Sequence, residues 1–203
     1  GTSGFTNGSG NDITLANTGN NFGGIATITS GRNVSLTDGD SLSLAGSISG
    51  NLTTVAGTTS NYGTTTVGGN VLQTGAGAVT QTGATTLSVT GTSGFDAGVT
   101  SDVTLANTGN NFGGVVTITS GNNVSLKDAN ALNLAGSVTG NLTTVAGTTT
   151  TYGTTTVGGN LLQTGAGAVT QTAATTLGVT GTSGFINGSG NDITLANTGN
   201  NFG

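Results

Sequence analysis

Seven aspartates, one arginine (Arg32) and one lysine (Lys127) are the only charged side chains in a chain of 203 residues that has no His, Cys or Glu. Carboxylates are thus the only side chains able to do acid–base chemistry near neutral pH. Asp38-Gly39-Asp40 offers two of them, the pair that a polysaccharide-cleaving β-helical enzyme would divide into acid and base. One repeat further on, the same place reads Asp128-Ala129-Asn130, and no Glu, His or basic cluster supports the pair. No catalytic residue is assigned, and an enzyme is not expected. Asn7-Gly8-Ser9-Gly10-Asn11-Asp12 has the flavour of a calcium-binding Gly-rich nonapeptide. It lacks the first Gly, is not tandem, and becomes Ala97-Gly98-Val99-Thr100-Ser101-Asp102 on repetition, which reads as a turn.

Other chemistry lacks its reagents. Without His or Cys there is no thiolate nucleophile, imidazole base or ordinary zinc, copper or iron–sulfur site, so no cofactor or metal is expected. Two cations against seven carboxylates, net −5, cannot neutralise a phosphate backbone, so no nucleic acid partner is expected. No apolar run of about 18 residues suits a membrane-spanning helix, and no membrane insertion is expected. Three Thr-x-Thr segments, Thr27 to Thr29, Thr64 to Thr66 and Thr80 to Thr82, invite comparison with ice-binding solenoids. Thr64–Thr66 and Thr80–Thr82, 16 residues apart, could be neighbours on successive coils, and Thr27–Thr29 stands alone. Thr is also the usual filler of an exposed strand face. Asn33-Val34-Ser35 and Asn51-Leu52-Thr53 are formal glycosylation sequons, which a chain this rich in Asn and Thr produces by chance.

The elements that carry these residues repeat. Gly1 to Phe5 (GTSGF) returns at Gly91 and Gly181, and Leu15 to Gly23 (LANTGNNFG) returns at Leu105 and Leu195, a period of 90 residues. The expected organisation is one continuous solenoid over 1–203: copy 1 at 1–90, copy 2 at 91–180, and the start of copy 3 at 181–203. Copies 1 and 2 agree at 69 of 90 positions, and an internal segment of something longer is the expectation. Its cut ends would expose strand edges, so order is expected inside a longer chain or end to end with copies.

Within each copy, Asn33, Asn51 and Asn70 open strands at nearly equal separations, and Asn123, Asn141 and Asn160 keep the same spacing. Pairs such as Ile13/Leu15, Val34/Leu36, Leu42/Leu44 and Leu87/Val89 alternate with polar residues, the pattern of a strand with one buried face. Between copies 1 and 2 the intervening positions change freely (Arg32 to Asn122, Thr37 to Lys127, Asp40 to Asn130, Ser43 to Asn133), which marks them as the wet face. No segment has helical periodicity, so helix content near zero is expected.

These features specify an all-β right-handed parallel β-solenoid (β-helix) of about 16–22 residues per coil. Four to five such units fill a copy; about five coils would advance about 24 Å, and the chain roughly 50 Å. Stacking also accounts for the composition: like charges in adjacent coils would lie about 5 Å apart, whereas Thr, Ser and Asn stack as hydrogen-bonded ladders. Phe5, Phe22 and Tyr62 return as Phe95, Phe112, Tyr152, Phe185 and Phe202, and are expected to fill coil interiors or cover turns.

The runs Asn11 to Gly24 (NDITLANTGNNFGG), Arg32 to Asp38 (RNVSLTD) and Gly68 to Thr82 (GGNVLQTGAGAVTQT) resemble the repeat region of filamentous-haemagglutinin-like exoproteins. That resemblance implies an extracellular, surface-attached bacterial fibre exported by two-partner secretion or autotransport. Its roles would be adhesion, aggregation or biofilm formation, and a self-assembling sheath or matrix filament is the sibling reading. The implied partners are copies of itself, end to end or laterally, and host or cell-surface glycans or proteins.

Overall fold

A computed structural model describes residues 1–203 as strands joined by turns and bends, without helix. Copy 1 holds β1 (Ser3–Thr6), β2 (Ile13–Leu15), β3 (Ile25–Gly31), β4 (Val34–Asp38), β5 (Leu42–Ile48), β6 (Leu52–Ala56), β7 (Ser60–Val67), β8 (Val71–Gly75), β9 (Val79–Gln81) and β10 (Leu87–Val89). Copy 2 holds β11 (Ser93–Asp96), β12 (Val103–Leu105), β13 (Asn111–Phe112), β14 (Val115–Ser120), β15 (Val124–Asp128), β16 (Leu132–Val138), β17 (Leu142–Ala146), β18 (Thr150–Val157), β19 (Leu161–Gly165), β20 (Val169–Gln171) and β21 (Leu177–Val179). β22 (Ser183–Ile186) and β23 (Asn201–Phe202) follow.

The strands stack into two parallel sheets, as expected of a β-solenoid. The first runs β1-β3-β5-β7-β9-β12-β15-β17-β19-β22 and the second β2-β4-β6-β8-β11-β14-β16-β18-β21-β23. Coil length varies more than the spacing predicts. Val34 stacks on Leu52, Leu52 on Val71, Val71 on Ser93 and Val79 on Val103, each step longer in sequence than the one before. The extra residues of the long coils leave the sheet as a loop: β7 is continued on the next coil by both β9 and β10, with residues 82–86 between them.

A sheet exchange accompanies the sequence repeat. Four coil steps lead from Ile13 through Val34, Leu52 and Val71 to Ser93, and Ser3, the equivalent of Ser93, lies half a coil before Ile13. One full copy therefore makes four and a half coils, within the four to five expected, and rises about 22 Å. Accordingly β1 and β3 lie in the first sheet, whereas their counterparts β11 and β14 lie in the second. Successive copies are related by a half turn about the rod axis.

Period-2 alternation places the core as the sequence predicts. Thirty-six buried apolar residues form one continuous cluster through both copies, including Val34, Leu36, Leu42, Leu44, Leu87 and Val89. Burying each such side chain is worth about 2 kcal/mol, which supplies the stability that a rod without salt-bridge networks needs. Thr37 departs from the expected wet face and is 7% exposed, because the segment ending at Phe22 is tied down beside it by Phe22 N–H to Asp38 Oδ2 and Gly39 N–H to Asn20 O. The irregularity in β5 and β16 falls on Gly46 (φ +132°) and Gly136 (φ +127°), where a β-carbon would run into the backbone of Ile28 or Ile118. Only glycine accepts both that dihedral and that approach.

Candidate functional site

The six strand-opening asparagines line up coil upon coil. The backbone N–H of Asn51 donates to Asn33 Oδ1 at 3.0 Å, that of Asn70 to Asn51 Oδ1 at 2.9 Å, and that of Thr92 to Asn70 Oδ1 at 2.8 Å. Below them Asp12 Oδ1 accepts from Asn33 N–H at 3.1 Å, so an aspartate starts the ladder and a threonine ends it. Copy 2 repeats the series with Asp102, Asn123, Asn141, Asn160 and Thr182, each bond within 2.9–3.1 Å. Copy 1's ladder flanks the second sheet and copy 2's the first, as the half turn requires. Each asparagine oxygen occupies the space where a β-carbon on the glycine of the next coil would lie: one at Gly50 would be 2.6 Å from Asn33 Oδ1, and one at Gly140 2.7 Å from Asn123 Oδ1. The recurrent Gly-Asn pair is thus one steric unit.

Arg32 clasps Asp12 through Nε and a terminal guanidinium nitrogen at 2.8 and 3.0 Å. These bonds, with that from Asn33 N–H, hold the Asp12 carboxyl well below the usual carboxylate range. The pair is solvent-exposed and adds little stability.

The long coils form the second candidate. Tyr62 of copy 1 meets Phe95 of copy 2 edge to face at 6.4 Å, and Phe95 meets Phe112 at 6.4 Å; Tyr152, Phe185 and Phe202 repeat the set at 6.4 and 6.2 Å. Phe5 and Phe22 form the same edge contact at 5.9 Å, partly buried against the core. Tyr62, Tyr152, Phe95 and Phe112 are fully buried, whereas Phe202 remains 42% exposed. Burial pushes both tyrosine phenols well above their ordinary range; Tyr62 Oη pairs with Thr54 Oγ1 at 3.0 Å and Tyr152 Oη with Thr144 Oγ1 at 3.1 Å.

Two polar devices in the long coils are not predicted from spacing. Asn110 is fully buried: its Nδ2 donates to Gln81 Oε1 (2.9 Å) and Leu105 O (3.0 Å), and its Oδ1 accepts from Gln81 Nε2 (2.7 Å) and Leu87 N–H (2.9 Å). Asn200 and Gln171 repeat the exchange at 2.8 Å each way. Asp38 and Asp128 are also buried; Asp128 accepts from Phe112 N–H at 3.0 Å and Asn130 N–H at 2.8 Å, and burial pushes its carboxyl up. The available signal is within the sequence: polar residues unchanged between copies at 38/128, 81/171 and 20/110/200.

Asp38 and Asp40 do not converge on a common point. Asp38 Oδ1 accepts from the Asp40 N–H at 2.9 Å, while Asp40 Oδ2 accepts from Asn21 Nδ2 at 2.7 Å. The Thr-x-Thr segments do not form one array. Thr80 stacks on Asn61 and Thr66 on Ser47 and Ser88, so Thr64–Thr66 and Thr80–Thr82 are not neighbours in register, because a full coil here is longer than the step between them. Thr27 lies between Gly4 and Ala45.

At the junction, residues 84–86 and 106–109 stack as two outward loops, with Asn107 Nδ2 donating to Thr82 O and Thr85 O at 2.7 and 3.0 Å. A shallow groove of about 350 Å³ lies between them, lined by Ala84, Thr85, Thr86, Ala106, Asn107 and Thr108 with Gly109 at its edge. Ala84 there has φ +59°, a left-handed conformation unusual for a residue with a side chain, as has Ala174.

Stacked parallel sheets, a single continuous core and side-chain ladders running from coil to coil define a β-solenoid repeat protein. The chain belongs to the family described as repeats of unknown function (DUF5649), whose model matches residues 1–29, 53–119 and 139–203. Each block contains the aromatics of one junction: Phe5 and Phe22; Tyr62, Phe95 and Phe112; Tyr152, Phe185 and Phe202. No curated protein and no solved structure matches the chain.

Proposed function

We propose that this chain is part of the shaft of a secreted or surface-attached bacterial fibre of the filamentous-haemagglutinin kind, serving adhesion, aggregation or a biofilm matrix. It performs no catalysis. Its work is mechanical, holding binding regions away from the cell and contacting other copies of itself. The observation that carries this reading is the junction: Tyr62 and Gln81 from one copy pack and bond with Phe95 and Asn110 from the next. Copies joined through a shared core form one stiff body of any length. The sparse charge supports the same reading, since stacked columns of like charge would strain a long array. The groove between the junction loops at 84–86 and 106–109 offers hydroxyls and an amide to cell-surface glycans or proteins.

Electron microscopy of arrays with two, four and six copies tests the shaft: length should rise about 22 Å per copy without bends at copy boundaries. Beads coated with the longest array should bind cells or aggregate above bare beads. Arrays that elongate but leave the beads inert would remove adhesion and keep the shaft.

A further inference from the structure

Two exposed panels of this rod match each other. On the second sheet, β4, β6, β8 and β11 present the outward column Ser35, Thr53, Leu72, Gly94 and a second column of Val55, Thr74 and Asp96, which ends at Thr37, covered by the segment ending at Phe22. On the first sheet, β15, β17, β19 and β22 present Ser125, Thr143, Leu162, Gly184 and Lys127, Val145, Thr164, Ile186. Both panels expose aliphatic side chains: Leu72 is 49%, Leu162 43%, Val55 37% and Ile186 58% accessible. They differ in charge. The first-sheet panel carries Lys127, which pairs with no carboxylate, the chain's one ion pair being Arg32 with Asp12. The second-sheet panel carries Asp96, whose Oδ1 accepts from Gly98 N–H at 3.1 Å and from Ser120 Oγ.

Resting on the fibre reading above, we infer that the outward face of β15, β17, β19 and β22 docks, antiparallel, on the outward face of β4, β6, β8 and β11 of a second copy, with Lys127 facing Asp96. When the first strand of one panel lies over the fourth of the other, Leu72 faces Thr143, Leu162 faces Thr53, Val55 faces Thr164 and Val145 faces Thr74. Each of these four aliphatics then meets a threonine and the two surfaces interdigitate, while Ile186 lies over the covered end of the panel at Thr37. Like panels cannot do this equally well. Two second-sheet panels would bury two carboxylates against the uncharged end of the panel around Thr37, and two first-sheet panels two ammonium groups against Ile186, each charge desolvated without a partner. The unlike pairing is selected by charge.

The two panels point away from each other, because both sheets bury their alternate side chains in one core. A contact between unlike faces leaves one of each free and propagates, so rods would tile into a flat layer. Four strands by about five residues cover about 300 Å² per partner, below the scale of a stable dimer. Each contact is weak alone and gains strength by repetition along a fibre.

Sedimentation equilibrium of the 203-residue chain at millimolar concentration in low salt tests the contact. The chain should self-associate, and Lys127→Glu or Asp96→Lys should each weaken association about fivefold, as should added salt. The double variant Lys127→Glu/Asp96→Lys should restore it. Lys127→Thr and Asp96→Ile, which install the residues of equivalent positions Thr37 and Ile186, keep the fold and should weaken association as well. No association of the parent chain, indifference to the single reversals, or failure of the double variant to restore would overturn the docking. Array length in the microscope is independent of these charges, so rods that elongate but ignore them would refute the docking alone.

Discussion

Gln81 and Asn110 belong to different sequence copies, yet each side-chain amide is both donor and acceptor for the other, at 2.7 and 2.9 Å. This exchange ties adjoining copies together inside the rod. Replacing Asn110 by Ala removes both bonds, frees the Leu87 N–H, and leaves Gln81 Oε1 unpaired in a partly buried site, while Gln81 Nε2 keeps its bond to Thr85 O. The expected loss is about 3 kcal/mol, since each buried polar group left without a partner costs about 1–3 kcal/mol. Urea denaturation would measure it, and an unchanged midpoint would dismiss the staple.

Tyr62 and Tyr152 are the only tyrosines, so phenolate absorbance reports on them alone. Burial raises both phenols in the folded state. The unfolded chain therefore releases phenolic protons first, and stability falls as pH climbs above about 10. Phenolate absorbance should appear together with loss of β-sheet circular dichroism. Phenolate in a fully folded chain at about pH 11 would contradict the burial. Tyr62→Phe should cost about 1–2 kcal/mol by stranding Thr54 Oγ1, with most of it recovered in Tyr62→Phe/Thr54→Val.

Asp12 gives the opposite sign. Its carboxyl is held low by Arg32 and the Asn33 N–H, so the unfolded chain takes up this proton first as pH falls below about 4, and stability falls with it. Arg32→Asn installs the residue found at Asn122. The Asp12 carboxyl-carbon titration followed by NMR should then move upward, while the melting temperature scarcely changes because the ion pair is exposed. A static midpoint would show that Arg32 does not hold this carboxylate.

The ladder predicts a steric defect. A β-carbon at Gly69 would lie 2.9 Å from both the carbonyl carbon and oxygen of Gly50, beside Asn51 Oδ1. Gly69→Ala should cost about 2 kcal/mol or more by prising coils apart, although alanine is ordinarily the better-tolerated residue in a regular element. Ser88→Gly, which installs the residue of equivalent Gly178 on an outward position, should change the denaturation midpoint far less.

The half turn per copy is directly visible by labelling. Thr18, Thr108 and Thr198 are equivalent and exposed. Gold attached at these positions through cysteine should zigzag along the rod, alternating sides at about 22 Å per step. Labels on one side would refute the sheet exchange.

Strands, parallel stacking and absence of helix are legible in the sequence because alternation at Val34/Leu36 or Leu42/Leu44 is a local signal. The Asn33, Asn51, Asn70 spacing is likewise legible, since those coils are the short ones and nearly equal in length. The count of four and a half coils per copy is not legible. It depends on where residues 82–86 and 106–110 leave the sheet, and a Gly/Thr/Asn-rich stretch reads equally as strand or loop. The buried roles of Asp38 and Asn110 are hidden for a related reason: a polar residue in a turn-rich segment reads as exposed until the neighbouring coil supplies its partners.

The half turn also bears on how such a gene changes. Recombination between similar copies adds or deletes whole repeats. Each event alters reach by one step and also swings everything beyond it to the opposite side, so arrays of odd and even copy number aim their far ends in opposite directions. Only paired gains or losses preserve the aim.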